Sequence, residues 1–127
     1  ALPCICSSAP DLVTVIIVPK TVLRSPLFKC AMFGADANWG RVLCAIGYAE
    51  ADFDINKVDV DLGSRAGRIA VCRNGAGVDF SEDEAKKILT EDEIEIYIEL
   101  NAGNAKATAW GCDLTYDYVK INGDYRS

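Results

Sequence analysis

The apolar positions divide the chain into short elements with different patterns. The continuous β-branched run "LVTVIIV" at 12–18 predicts a strand that is buried on both faces. The next segment, "PKTVLRSP", predicts a helical turn or two between its prolines, and "LFKCAMF" predicts a second strand that ends at Gly34. Residues 1–11 contain two prolines among small residues, so this pattern indicates a loop.

The clearest helical pattern begins near Asp36 or Asn38, because either side chain can cap a helix. The apolar residues that follow recur at i, i+3, i+4 and i+7, and they are Trp39, Val42, Leu43, Ile46 and Ala49. The surrounding stretch, "FGADANWGRVL", has two interpretations. One is a capped helix with a buried tryptophan, and the other is a loop that presents a helix N-terminus to an anion. Composition alone favours the first.

A second helix is predicted over residues 81–90. Ser81 followed three positions later by Glu84 forms a capping box, and Phe80 is placed as its hydrophobic staple. The first turn is acidic, which suits the positive end of the helix dipole. We therefore expect a short surface helix that ends at Thr90.

The remaining segments alternate between apolar and polar residues, as half-exposed strands do. "KVDVDL" and "RIAVC" predict an antiparallel pair around the turn "GSRAG". "EIEIYIEL" and "KATAWGCDLT" predict a hairpin around "NAGNA". The total of five or six strands and two good helices predicts an α/β, or α+β layered, domain with a mixed, largely antiparallel sheet packed by helices.

Composition excludes several classes of function. The net charge of −6 argues against nucleic-acid binding, which requires clustered lysine and arginine. The longest apolar run is too short to cross a bilayer, and no basic start of a secretory signal precedes it. These features predict an acidic cytoplasmic protein with no membrane partner.

The chain has six cysteines and no histidine. Cys30, Cys44, Cys72 and Cys112 lie in apolar patterns, which predicts reduced, mostly buried thiols. Cys4 and Cys6 form a lone C-x-C that lacks the further ligands of a metal site, so no metal is expected. The absence of histidine also removes the commonest general base.

Three other motifs have simple structural interpretations. "DFDINKVDVD" fails as a calcium loop, because the sixth and twelfth positions counted from Asp52 are Lys57 and Gly63 instead of glycine and glutamate. "CRNGAG" lacks the pattern of a nucleotide-binding loop and predicts a turn. The glutamates at 91–99 alternate along one strand face, which is typical of solvated charge.

Three blocks together resemble the ornithine acetyltransferases, the bifunctional ArgJ family of arginine biosynthesis. They are "FGADANWGRVLCAIGYA", "ATAWGCDLTYDYVKIN" and the terminal "DYRS". The likeness covers residues 21–127, which it identifies as a C-terminal β-chain domain, whereas residues 1–20 match less well. It implies an ArgJ/DmpA-like αββα architecture of the N-terminal-nucleophile type.

The resemblance also implies a mechanism. Precursors of this family cleave themselves before a threonine, and the α and β chains stay together, in a pattern that suggests an α2β2 assembly. The new N-terminal threonine takes the acetyl group of N-acetylornithine and passes it to glutamate, and its free amine can serve as base. No cofactor is implied, and the resemblance leaves open whether acetyl-CoA is a second acetyl donor.

The family pattern assigns only substrate-binding residues to this chain. Residue 1 is alanine and every threonine is internal, so the nucleophile is expected upstream and the chain alone is expected to be inactive. Asn122 and Ser127 match the family's amino-acid-binding asparagine and terminal hydroxyl residue. The alternative is a stand-alone, non-catalytic binding or assembly module that kept the fold.

Overall fold

The computed structural model describes residues 2–51 and 53–111. Six strands form one sheet in the order β4-β3-β2-β5-β1-β6. Their bounds are β1 Leu2–Ala9, β2 Asp59–Ser64, β3 Gly67–Arg73, β4 Ala76–Gly77, β5 Glu95–Glu99 and β6 Ala105–Gly111. The helices are α1 Leu12–Leu23, α2 Pro26–Phe33, α3 Trp39–Gly47 and α4 Glu82–Leu89, with a 3-10 turn at Ile55–Lys57. Among the described strands, only β1 and β5 pair in parallel.

The sheet has one buried and one polar face. Its buried side chains face the helices: α1 packs on β1 and β6, while α4 packs on β2 and β3. These core residues include Cys4, Cys6, Val60, Leu62, Ile96 and Ile98. Most of the alternate positions are only half-buried, with Pro3 and Gly63 as exceptions. The predicted mixed, largely antiparallel sheet packed by helices is therefore confirmed, and the described residues form one layer of strands and one of helices.

The predicted strand at 12–18 is wrong, because this run forms most of α1. Asp11 caps the helix by accepting a hydrogen bond from the Thr14 N–H at 2.7 Å. The buried face includes Val15, Val18 and Val22, which have helical spacing. An unbroken apolar run conceals this period, because the residues on the exposed face are apolar too.

The predicted strand "LFKCAMF" is also wrong, because it lies in α2. The Ser25 hydroxyl accepts a hydrogen bond from the Phe28 N–H at 3.3 Å, and Pro26 occupies the first turn. Proline is favoured there, since its missing N–H would have no partner inside the helix. Phe28, Ala31 and Met32 then face the core at helical spacing.

The predictions of a loop at residues 1–11 and of a hairpin between β5 and β6 are both wrong, and for the same reason. Residues 2–9 form β1, which inserts between β5 and β6 and pairs with both. Strands β5 and β6 are consequently not neighbours, although "NAGNA" does connect them. Pro3 is tolerated near the strand start, because pairing with β5 begins only at Cys4.

The other predicted elements are confirmed. Asn38 caps α3 and Ser81 caps α4, whose C-cap is Thr90. Strands β2 and β3 form the expected antiparallel pair. Trp39 differs from prediction, since 37% of it is exposed where the pattern indicated a buried ring. No helix within the described ranges is long and apolar enough to span a membrane.

Candidate functional site

The loop before α3 is organised by its own polar groups. Asn38 Oδ1 accepts a hydrogen bond from the Arg41 N–H at 3.1 Å, and Asn38 Nδ2 donates to Asp36 Oδ2 at 3.3 Å. The backbone N–H groups of Asn38 and Trp39 donate to Asp36 and Ala37. Because these donors are used within the loop, the geometry favours the capping interpretation over an anion site.

Two contacts fix this loop against the rest of the domain. The Arg41 guanidinium donates to the carbonyl oxygen of Leu27 at 2.9 Å, which ties α3 to α2. The Trp39 ring lies against Gly77 at the outer edge of the sheet. The most characteristic sequence block of the chain thus joins α2, α3 and β4 and has a structural role.

A polar cluster lies on the exposed face of the sheet. Asp61 accepts hydrogen bonds from Arg68 Nε at 2.8 Å and from an Arg73 guanidinium nitrogen at 2.7 Å. The Arg68 guanidinium also lies 3.7 Å from the centroid of the Tyr97 ring. The Tyr97 hydroxyl bonds to Glu95 on the same strand. These residues come from the three neighbouring strands β2, β3 and β5.

The two arginines of this cluster keep the Asp61 carboxylate ionised. Partial burial raises the pKa of Asp61, but the hydrogen bonds and charges of Arg73 and Arg68 outweigh it, so the net shift is downward. Hydrogen bonding to Asp61 conversely raises the pKa of Arg73. A carboxylate held ionised between two guanidinium groups is a poor proton donor or acceptor near neutral pH. We interpret the cluster as structural.

Sequence reasoning missed this cluster. Alternation along "KVDVDL" correctly predicted that Asp59 and Asp61 share one face, but it could not supply their partners. Tyr97 lies directly across from Asp61 because β5 pairs with β2, a relation between distant segments. The available signal was opposite charge on adjacent predicted strands, because Arg68 begins the "RIAVC" run and Arg73 follows it.

The cysteines divide into two groups. Cys4, Cys6 and Cys72 are buried, whereas Cys30 and Cys44 are exposed, so the expectation of burial is wrong for the last two. All five are free thiols, and Cys112 lies outside the described residues. Burial, with a smaller contribution from Glu99, raises the pKa of Cys6 to about 12, and burial raises that of Cys4 further. Neither is an activated nucleophile.

Residues 2–51 and 53–111 offer few side chains that are arranged for catalysis or metal binding. No group of three or more histidine, cysteine, aspartate or glutamate side chains there is arranged to hold a metal ion. Two threonine hydroxyls are used locally, because Thr21 donates to the Ile17 carbonyl oxygen and Thr90 to that of Lys87. The predicted substrate-binding residues, Asn122 and Ser127, lie outside the described part, and their role stays a prediction.

The described chain ends at a defined place in the fold. Strand β6 reaches Gly111 at the edge of the sheet, where it pairs with Leu2. Gly111 lies close to α1: a Cβ at this position would be 3.0 Å from Cδ2 of Leu23. The block "ATAWGCDLTYDYVKIN" therefore begins on the edge strand, beside the end of the first helix.

Comparison with known proteins agrees with these observations. The family model for the ArgJ family matches residues 5–127. The chain is 52% identical over 111 residues to "Arginine biosynthesis bifunctional protein ArgJ 1" of Clostridium acetobutylicum, covering 87% of this chain and 27% of the relative. It is 55% identical over 108 residues to the ArgJ protein of Caldanaerobacter subterraneus subsp. tengcongensis, covering 85% and 27%.

A solved structure gives the same result. The crystal structure of the arginine biosynthesis bifunctional protein ArgJ of Bacillus halodurans aligns with a TM-score of 0.89 and 39% identity, covering 98% of this chain and 57% of that one. This chain spans about a quarter of the length of the curated relatives that it matches. Sequence and fold thus agree along nearly the whole chain, which belongs to the ArgJ family.

Proposed function

We propose that this chain is the C-terminal β-chain segment of a self-processing acetyltransferase that moves the acetyl group of N-acetylornithine to glutamate. The observation that carries the proposal is the match of residues 5–127 to the ArgJ family model. Its support is the identity of 52–55% to proteins named for arginine biosynthesis. The chain would act together with an α chain and the rest of the β chain, in an α2β2 assembly in the cytoplasm.

The chemistry divides between this chain and its partners. A threonine hydroxyl outside this chain attacks the acetyl carbonyl of N-acetylornithine, the amide C–N bond breaks, and ornithine leaves with the proton. The resulting acyl-threonine ester is attacked by the α-amine of glutamate, which regenerates the hydroxyl.

Two residues of this chain would orient the amino acid. The Asn122 amide offers both a donor and an acceptor to the substrate's amine and carboxylate groups. Ser127 offers a hydroxyl, and its α-carboxylate can pair with a substrate ammonium group.

A chimera tests the proposal directly. This chain replaces the matching region of the Clostridium acetobutylicum relative, and acetyl transfer from N-acetylornithine to glutamate is measured in the purified complex. We expect turnover in the chimera and none from the 127-residue chain alone. Asn122→Ala should reduce transfer, whereas Asn104→Ala, at an exposed loop position, should not.

The competing function is a stand-alone binding or assembly module. Its support comes from the described residues, where Asp61 is held ionised between two arginines and burial keeps the Cys4 and Cys6 thiols protonated. A correctly folded chimera that assembles but transfers no acetyl group would favour the module and reject the transferase. Intact mass of the native protein separates the two further, since only the transferase requires a companion chain that begins with threonine.

A further inference from the structure

A groove of about 560 Å³ lies between α1 and the edge strand β6. Its volume falls within the range of small-molecule sites, which are typically apolar with a few polar groups. The apolar lining includes Val15, Ile16, Pro19 and Leu23 from α1, and Ala107, Ala109 and Trp110 from β6.

The groove exists because the residues of β6 that face α1 are small. Half-buried positions alternate with exposed ones along this strand, and the half-buried ones are Ala105, Ala107, Ala109 and Gly111. Among the strands of the described sheet, β6 has a neighbour on one side only. Methyl groups, and a strand edge with no neighbour among the described strands, therefore leave space beside the helix that larger side chains would fill.

The charges in the groove all have one sign. Its charged lining residues are Lys20, Arg24 and Lys29, although the chain as a whole carries a net charge of −6. The ion pairs found in the described ranges involve other arginines, namely Arg65, Arg68 and Arg73. Clustered cations over low-dielectric walls concentrate a positive potential in a concave site.

The cations lie toward one end of the groove, whereas apolar residues line it along its whole length. Lys20 and Arg24 are one helical turn apart in the C-terminal half of α1, next to Leu23, which contacts Gly111. Val15 and Ile16 lie in the N-terminal half, two turns away from Leu23. A ligand that fits both parts has an apolar body and an anionic end.

We propose that this groove binds an organic anion with an apolar body, of the medium-chain carboxylate class. The hydrocarbon tail packs on Ile16, Ala107 and Ala109, and the carboxylate lies near Arg24 and Lys29. A free anion fits better than a membrane surface, because a concave groove encloses one hydrocarbon chain, whereas interfacial helices present a continuous apolar face. The proposal is independent of acetyl transfer.

The test uses octanoate as the probe and, as the receptor, the 127-residue chain after cooperative thermal melting has shown that it is folded. Trp39→Phe leaves Trp110, on β6 beside the groove, as the single tryptophan, and Trp39 itself lies at the opposite edge of the sheet. Calorimetry and Trp110 fluorescence should report saturable 1:1 binding of octanoate. The neutral analogue octan-1-ol should bind several-fold more weakly, and added NaCl should reduce the difference.

Two triple variants with the same loss of charge separate a site from bulk electrostatics. The first is Lys20→Gln, Arg24→Gln and Lys29→Gln, which should lower octanoate affinity about tenfold. The second is Lys57→Gln, Lys86→Gln and Lys87→Gln, which alters cations outside the groove lining and should change affinity less than twofold. Ala107→Phe, checked by thermal melting, should fill the groove and abolish binding.

Several outcomes would overturn the proposal. Absence of saturable binding to the full chain would show that the groove accepts no such ligand. Equal losses in the two triple variants would show a bulk charge effect. Sedimentation with phosphatidylserine vesicles without binding of free octanoate would identify a membrane contact in its place. None of these results depends on whether the chimera transfers acetyl groups.

Discussion

The indole ring of Trp39 lies directly against Gly77, so the first residue of α3 packs on the last residue of β4. A Cβ at Gly77 would lie 2.7 Å from Nε1 of the indole and closer still to its ring carbons. Glycine is thus required here by a close approach of ring and backbone. This contact joins the loop before α3 to the outer edge of the sheet.

We expect Gly77→Ala to destabilise the domain by about 1–3 kcal/mol, the usual cost of overpacking. Gly47→Ala is the matched control, because a Cβ there meets nothing within 4 Å, and alanine favours the helix. Urea denaturation of both variants measures the difference. Trp39→Ala should remove the clash, so a double-mutant cycle in which Gly77→Ala costs the same in both backgrounds would contradict the contact.

The cap of α4 provides a second stability test. The Ser81 hydroxyl accepts a hydrogen bond from the Glu84 N–H at 3.2 Å. Ser81→Ala should therefore cost about 1 kcal/mol, the typical value for loss of an N-cap. Ser81→Asp keeps an acceptor at this position and should retain stability. Equal denaturation midpoints for Ser81→Ala and the wild type would show that this cap contributes nothing.

The Asp61 ion pairs predict a pH dependence of stability. Partial burial raises the pKa of this carboxyl, but Arg73 and Arg68 lower it by more, so its folded value lies below its unfolded value. The stabilisation is therefore complete above the unfolded pKa, about 3.9, and is lost as the pH falls through the folded value. Its size is modest, because the side chains of Arg68 and Arg73 are 56% and 41% exposed.

We expect Asp61→Asn to cost about 1 kcal/mol at pH 7 and progressively less below pH ~4. The free energy of unfolding, measured by denaturant titration from pH 7 to pH 2, checks this difference. Asp79→Asn is the control, since Asp79 is exposed and makes no ion pair in the described part of the chain. A constant difference between wild type and Asp61→Asn across this range would reject the linkage.

Thiol labelling tests the division among the cysteines. In a Cys112→Ser background, which removes the cysteine outside the described residues, a maleimide should rapidly label Cys30 and Cys44. The buried Cys4, Cys6 and Cys72 should react only on unfolding, because burial also keeps their thiols protonated. Intact mass after brief labelling should show two adducts, and three or more would contradict the burial.

The elements that the sequence predicted correctly carry local signals. The caps at Asn38 and Ser81 act within three residues, and the alternation around Asp61 places side chains without knowledge of the partner strand. The prediction of a strand at 12–18 was wrong because apolar residues lie on every side of α1, so the sequence shows neither the helical period nor the strand period. A cap at Asp11 was the local signal that distinguished a helix from a strand there.

Strand order depends on contacts that no local pattern contains. The predicted hairpin was reasonable for two alternating segments with a short connection, but β1 pairs with both of them and separates them. The polar cluster around Asp61 depends on the same pairing, because Tyr97 reaches it from β5. The substrate-binding assignment came from the family resemblance, since Asn122 and Ser127 carry no local pattern that distinguishes them from an ordinary polar tail.

The last prediction concerns that terminal segment in the chimeric enzyme. Asn122→Ala should weaken acetyl transfer by about 1–3 kcal/mol, because a substrate group would lose its hydrogen-bond partner. Deletion of Arg126 and Ser127 should cost at least as much, since it also moves the terminal carboxylate. Ser127→Thr should be nearly neutral, because the hydroxyl survives. Steady-state kinetics measure all three variants, with thermal melting as the check on folding.

The pattern of effects on kcat and KM distinguishes a substrate-binding role from a structural one. Loss of an orienting hydrogen bond should change the kinetics while the melting temperature stays constant, whereas loss of a structural contact should lower that temperature as well. Asn104→Ala, in the exposed connection before β6, controls for removal of an asparagine elsewhere. If the deletion retains wild-type kcat and KM, the terminal residues do not contact the substrate, and the assignment of Asn122 and Ser127 is wrong.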